Sequence, residues 1–282
     1  MRIPKVLRRK AMLKKLTVWA VGLMVVSFFA SAASAQMTGR QVMEKQKSLH
    51  KVKTEIGSEN MLLVDKGGSK ETRQVRRYAK ETGKDLHKYL VVFLSPGDIR
   101  GTALRTWENK GGDNDQWLYL PAQKKEQRIA KAGKKNYFMG TDFTYEDMEP
   151  EDLDNYNYTI LKSENINHDG QTHDCWVIQA VPANEKKKRE SGYAQRVMWI
   201  EKVHYTTLKT DFYDTRNKLQ KTQTNHEYVN VGGTVWRPKK TWMKHHEKNH
   251  QTVTMTTSRK INVPLDDSTF TERFILSGKH LD

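Results

Sequence analysis

The sequence predicts an α+β chain, mainly antiparallel β, folded as one strongly curved sheet or open barrel. Three observations carry this expectation. About ten strand-length segments alternate with turn chemistry from residue 54 to residue 263. A single amphipathic helix pattern precedes them. Neither an internal repeat nor a long linker interrupts the run, so so many strands in one domain must curl.

The helix is read from Thr38-Gly39-Arg40-Gln41, a capping box with Thr at the N-cap and Gln three residues on. Val42, Leu49 and Val52 then recur near helical spacing to about residue 53. Strands follow at 56–65 and 71–81, joined by Lys66-Gly67-Gly68-Ser69. Residues 84–86 turn into 88–95, whose run Tyr89-Leu90-Val91-Val92-Phe93-Leu94 is apolar throughout. Pro96-Gly97-Asp98 ends it. Further strands are read at 101–108 and 116–120, then a basic stretch to Ile129. Residues 137–145 form an apolar patch without a clean period, read as an ordered loop or short strand. The acidic run 146–154 reads as a solvated loop or a short helix interrupting the sheet. Strands at 156–165 and 172–181 flank the hairpin turn Asn167-His168-Asp169-Gly170. Residues 182–192 read as a loop whose tip is Lys186-Lys187-Lys188-Arg189. Strands at 196–204, 208–213, 219–231, 235–247 and 252–263 complete a meander, and a C-terminal segment carries Phe270, Phe274 and Ile275.

Residues 1–35 read as a secretory signal peptide. Seven basic residues and no acid occupy the first fifteen positions, an apolar run covers 18–30, and Ala33-Ser34-Ala35 is an A-x-A site, so cleavage is expected after Ala35. Residues 36–282 are expected to form a single exported, periplasmic domain. Removing the signal takes seven of the 49 basic residues and no acid, so the net charge falls from +16 to +9. That excess suits solvated strand faces or a transient contact with anionic headgroups. Nucleic acid is not an expected partner of an exported chain without a binding motif.

Chemistry is sparse. Cys175 cannot form an intrachain disulfide, and at a strand start it reads as a small buried apolar residue. No G-x-S-x-G, H-E-x-x-H or phosphate-binding loop occurs, so no catalytic residues are assigned and the chain is not read as an enzyme. His245, His246 and His250 cluster; on one continuous strand His246 and His250 would share a face and His245 would point away. That spacing offers no third ligand, and His168 and His173 across a hairpin offer less, so neither metal nor cofactor is expected. What remains is the apolar inventory. In Gln116-Trp117-Leu118-Tyr119-Leu120-Pro121, period 2 sends Trp117 and Tyr119 to one face and Leu118 and Leu120 to the other. Both faces are apolar, so both should be covered. Such aromatics serve equally as core or as the wall of a concave apolar site, and periodicity does not choose between them.

From Phe93 onward the chain resembles the outer-membrane lipoprotein-sorting-protein-like family, related to the periplasmic lipoprotein carrier LolA. The resemblance lies in Phe93-Leu94-Ser95-Pro96-Gly97-Asp98-Ile99-Arg100-Gly101-Thr102, in Leu104 with Trp107-Glu108-Asn109, and in Asp115-Gln116-Trp117-Leu118-Tyr119-Leu120-Pro121. It continues through Arg128-Ile129 and Phe138-Met139-Gly140-Thr141-Asp142-Phe143-Thr144-Tyr145-Glu146-Asp147. The resemblance implies an unclosed β-barrel of LolA/LolB type with helices or loops over its mouth. It also implies a lipid or lipoprotein acyl chain as ligand and an inner-membrane transporter of the resistance-nodulation-division (RND) type as partner. On that footing Trp107, Trp117, Tyr119, Phe138, Met139, Phe143 and Tyr145 are the expected lining of an apolar cavity, with the aromatic side of residues 117–119 turned inward. The N-terminal helix and residues 130–155 are the candidate lid. The alternative is an accessory module that docks on a membrane transporter or envelope complex through Lys186–Arg189, with the aromatics as plain core and no lipid cargo.

Overall fold

The computed structural model describes residues 37–83 and 85–282. The expected signal peptide lies outside the described residues. Residues 37–282 form one unit.

Thirteen strands build one antiparallel sheet. The first meander comprises β1 (Thr54–Val64), β2 (Lys70–Gly83), β3 (Leu86–Ser95), β4 (Ala103–Trp107), β5 (Asp115–Leu120) and β6 (Lys125–Arg128). The second comprises β7 (Tyr156–His168), β8 (Gln171–Pro182), β9 (Tyr193–Glu201), β10 (Thr207–Asp214), β11 (Leu219–Gly232), β12 (Val235–His245) and β13 (His250–Ile261). Pairing of β1 with β13 joins the meanders, giving the order β6-β5-β4-β3-β2-β1-β13-β12-β11-β10-β9-β8-β7. Six strand pairings carry a register shift, such as those at Ser58/Glu59 and Ile160/Lys162. Each shift bends and twists its strand, which curls so long a sheet. The edges β6 and β7 do not pair, so the barrel is unclosed, as the resemblance implied. Both edges carry charge, and β6 is only four residues long, which blunts it against strand addition.

The residues between β6 and β7 cross the inner face of the sheet from one edge to the other. Their first part, 137–145, is a tight turn with one β-bridge, Tyr137 to Thr144. Phe138 and Tyr145 from this turn pack with Met61, Leu63, Val75, Val91, Phe93, Leu104 and Leu118. The outer face of the same strands is covered by the C-terminal segment. There Leu90, Val92, Ala103 and Tyr119 pack on Phe270 and on Ile275 of α3 (Glu272–Leu276). Two apolar faces on residues 89–94 and 117–120 are therefore both covered, as their patterning requires.

Helix α1 (Gly39–Leu49) has the expected capping box. The Thr38 N–H donates to Gln41 Oε1 (2.8 Å), and the Gln41 N–H donates to Thr38 Oγ1 (3.2 Å). Val42 and Met43 bury its inner side against Leu153, Tyr156, Ile178, Ala180, Met198 and Ile200. The expected loop at 182–192 contains a second helix, α2 (Glu185–Ser191), capped by the Asn184 side chain and ended by Gly192 at positive φ. Its Lys187 is not a solvated tip: it is half-buried against Glu146 at 2.6 Å. The basic stretch after Pro121 includes β6, whose four polar residues carry too short a pattern to be read as a strand.

Candidate functional site

A cavity of about 1100 Å³ lies between the inner face of the sheet, α1 and residues 146–156. Concave sites of roughly 300–1,000 Å³ hold small ligands, so this space is large enough for one. Its apolar wall comes from Met43 on α1, Leu153 and Tyr156 beside it, Met198 on β9, Phe212 on β10 and Trp236 on β12. Tyr89 on β3 and Tyr228 on β11 add aromatic surface. Burial pushes both phenols well above their ordinary range, so both stay neutral. The floor is polar. Glu55 takes Arg237 Nε at 3.1 Å and Arg259 Nε at 2.9 Å, and Glu108 takes His87 Nδ1 at 2.8 Å. The cavity is therefore amphipathic rather than uniformly greasy.

The roof is held by ion pairs. Residues 146–154 were expected to be solvated or helical; they form two 3-10 turns, Glu146–Met148 and Leu153–Asn155, and several of their carboxylates are engaged. Asp147 pairs with Lys221 on β11, accepts the Tyr193 hydroxyl at 2.8 Å and accepts the Thr144 N–H at 2.6 Å. Lys221 is fully buried, its ammonium also donates to the Asp142 carbonyl at 2.9 Å, and the Tyr137, Tyr193 and Phe212 rings surround it. Burial pulls the Lys221 ammonium below its ordinary range, and Asp147 works against that pull. Glu146 pairs with Lys187 and accepts the Tyr156 hydroxyl at 2.9 Å. Glu151 pairs with Arg196 at 3.0 Å, and Asp154 with Arg40 of α1 at 2.7 Å. Arg40 also donates to the Leu153 carbonyl at 2.7 Å. Glu149 is buried beside Lys134; desolvation, with the Glu146 charge adding to it, pushes its carboxyl up to about 7 despite that lysine. The local reading failed here because the bases that bury these acids lie on α1, α2 and remote strands.

The seven residues expected in the lining fall into three other places, and none lines this cavity. Trp107 and Trp117 stack edge to face at 5.3 Å on the outer side of β4 and β5, with Arg105 over both rings. With Glu126, Arg128, Thr271 and Glu272 they border a smaller recess of about 500 Å³. Tyr119, on the same face of β5, lies under the C-terminal segment. Phe138 and Tyr145 are buried on the inner face with Leu118, and Met139 packs against them. Phe143 joins Tyr193, Phe212 and Met243, one layer behind the cavity wall that Phe212 forms. The inner side of β5 is thus the leucine side: period 2 separates the two sets but does not say which one turns inward.

The histidine pattern also shifts, because the strand ends at His245 and a turn occupies 246–249. His245 and His250 then stand opposite each other across β12 and β13. His245 Nε2 meets the Tyr137 hydroxyl at 2.8 Å, and His250 Nδ1 meets Asp142 Oδ2 at 2.7 Å, so both fasten the 137–142 turn. His246 contacts Thr222 instead. Cys175 is fully buried and its thiol is pushed up to about 12 by burial, as a small apolar residue should be. The lining residues that sequence reading missed, among them Glu55, Arg237 and Tyr228, sit on half-polar strands whose inward side carries charge.

A family model described as an uncharacterized protein matches residues 85–277. Among curated proteins none matches. Among solved structures, a domain from Vibrio parahaemolyticus named for outer membrane lipoprotein sorting is similar at 30% identity and TM-score 0.78, over 84% of this chain and 98% of that one. A DUF1329 family protein from Desulfovibrio piger is similar at 26% identity and TM-score 0.77, over 84% and 97% of the two chains. A LolA superfamily protein from Nitrosomonas europaea shares the fold at 16% identity and TM-score 0.66, over 84% and 99%. With a family model matched over most of its length and a 30% identical relative spanned almost end to end, the chain belongs to the outer-membrane lipoprotein-sorting-protein-like family.

Proposed function

We propose that the protein is a periplasmic carrier that shields a lipid or a lipoprotein acyl chain from water and passes it between envelope components. The observation that carries this reading is the roofed cavity of about 1100 Å³ inside an unclosed sheet. The relative from Vibrio parahaemolyticus, named for outer membrane lipoprotein sorting, supports it. Carriage needs no covalent step. Burying an acyl chain contributes roughly 0.8 kcal/mol per methylene, so a stretch of about twelve carbons grosses about 10 kcal/mol before ordering costs. The apolar wall of Met43, Leu153, Tyr156, Met198, Phe212 and Trp236 suits the chain, and the charged floor suits a polar head.

Loading requires the roof to move. Residues 137–147 are fastened to the sheet by Lys221, His245, His250 and Arg73, the last through the Met139 carbonyl at 2.5 Å. Residues 148–155 and α1 are held by the Arg40, Lys134 and Arg196 ion pairs and by the packing of Val42, Met43 and Leu153, and we assign the lid motion to them. A wider opening that lifted 137–145 as well would bring Phe138, Met139, Phe143 and Tyr145 into the lining and leave Trp107, Trp117 and Tyr119 outside. An inner-membrane transporter of RND type is the proposed donor or acceptor of the cargo. A docking module without lipid cargo needs no roofed cavity, and the space under α1 favours the carrier. Organic extraction of the purified native protein followed by mass spectrometry tests the reading. Copurifying lipid, with displacement by a fluorescent fatty acid, is expected; no lipid and no fatty-acid binding would overturn it.

A further inference from the structure

Three of the chain's ten histidines gather on the outer face, away from the cavity, two of them beside a carboxylate. His168 and Asp169 form the turn between β7 and β8, and His173 stands near the start of β8. His226 comes from β11, next to the cavity-lining Asn225, so alternation points it to the opposite face. The imidazoles of His168 and His226 lie face to face, 4.6 Å between centroids, and His173 stands edge-on to His168 at 6.3 Å. Asp169 sits between the first two. Its Oδ1 is 2.6 Å from His226 Nδ1, and its Oδ2 is 3.9 Å from His168 Nε2 while accepting the Glu227 N–H at 2.7 Å. One donor atom from each of His168, Asp169 and His226 falls within 4.8 Å of the others.

Both rings carry an oxygen partner on Nε2. His168 Nε2 meets the Asn225 carbonyl at 2.7 Å, and His226 Nε2 meets Thr224 Oγ1 at 2.8 Å. The Thr224 hydroxyl on the far nitrogen orients the His226 ring as a metal-bound imidazole is oriented and leaves its Nδ1 for a ligand, whereas His168 faces Asp169 with the same Nε2 that meets the Asn225 carbonyl and ligates by turning its ring. The 2.6 Å contact of Asp169 Oδ1 with His226 Nδ1 sets a carboxylate oxygen and an imidazole nitrogen side by side, as two ligands of one ion stand.

We propose that His168, Asp169 and His226 bind a divalent transition metal of the zinc type, clasping the β7–β8 hairpin onto β11. Imidazole with carboxylate selects such an ion over calcium or magnesium, and three protein ligands leave the fourth tetrahedral position to water or to His173. Because the two rings are nearly parallel, ligation by both tilts one of them about χ2. Both histidines are partly exposed, so that motion is open to them.

Titration of untagged, chelator-treated full-length mature protein with Zn²⁺ by calorimetry tests this. One ion per chain is expected, with at least tenfold weaker binding in His168→Ala and in His226→Ala and unchanged binding in His250→Ala. Zinc-edge absorption spectra of the wild type should show two or more imidazole ligands, a readout that does not depend on how the variants fold. Absence of Zn²⁺ binding, wild-type affinity in both variants, or an all-oxygen shell would overturn the proposal and leave a simple His226–Asp169 hydrogen bond.

Discussion

The ammonium of Lys221, on a strand of the sheet, is sealed from solvent against the carboxylate of Asp147, in the segment that roofs the cavity. Removing one member of a buried pair leaves the other charged and unpaired, which costs roughly 3–5 kcal/mol. Lys221→Met should lower stability by that amount in urea denaturation. Lys221→Met combined with Asp147→Leu should recover much of it, because no orphaned charge remains.

Gly39 meets the sheet closely enough to forbid a side chain: a Cβ there would stand 2.8 Å from the Tyr158 carbonyl oxygen. Gly39→Ala should push α1 off β7 and cost about 1–3 kcal/mol, the usual effect of overpacking. Faster hydrogen exchange confined to α1 and residues 149–156 would report it, and protection unchanged from wild type would contradict it.

Arg40 ties α1 to the rim of the roof through Leu153 and Asp154. The Arg40–Asp154 pair is exposed, so Arg40→Ala should change global stability by under about 1 kcal/mol. It should nonetheless speed exchange of the amides of 149–155 and raise both association and dissociation rates of a fluorescent fatty acid. Filling the cavity has the opposite signature: Thr210 on β10 also lines it, and Thr210→Trp should abolish fatty-acid binding while leaving the circular dichroism spectrum intact.

Glu149 supplies a pH dependence with a defined sign. Its carboxyl is raised from 4.5 to about 7, so the folded chain holds a proton that the unfolded chain has released. The stabilisation is complete below pH 4.5 and declines as pH rises to about 7, by about 3 kcal/mol at 1.36 kcal/mol per pH unit. Glu149→Gln cannot lose that proton. Its stability relative to wild type should therefore rise between pH 4.5 and pH 8, and a flat difference in denaturation midpoints would refute the assignment.

Strand positions and the capped helix were legible because they are local: Thr38 and Gln41 sit three residues apart, and residues 89–94 declare two apolar faces. The site was less legible because its determinants are remote. Trp117 and Leu118 announce opposite faces, but only the C-terminal Phe270 and the Phe138 turn decide which faces inward. Acids at 146–154 look solvated until Lys134, Lys187, Arg196 and Lys221 arrive from other elements. His168 and His226 are 58 positions apart in sequence, and no spacing rule joins them.

The two unpaired edges of the sheet are neighbours in sequence, and the roof is the strap between them. Spreading β6 from β7 breaks no strand ladder, since none exists there. Girth is therefore the softest dimension of the molecule, limited by the slack of one strap and a few rim contacts. A vessel with such a seam can admit cargoes of unequal thickness without unzipping any of its staves.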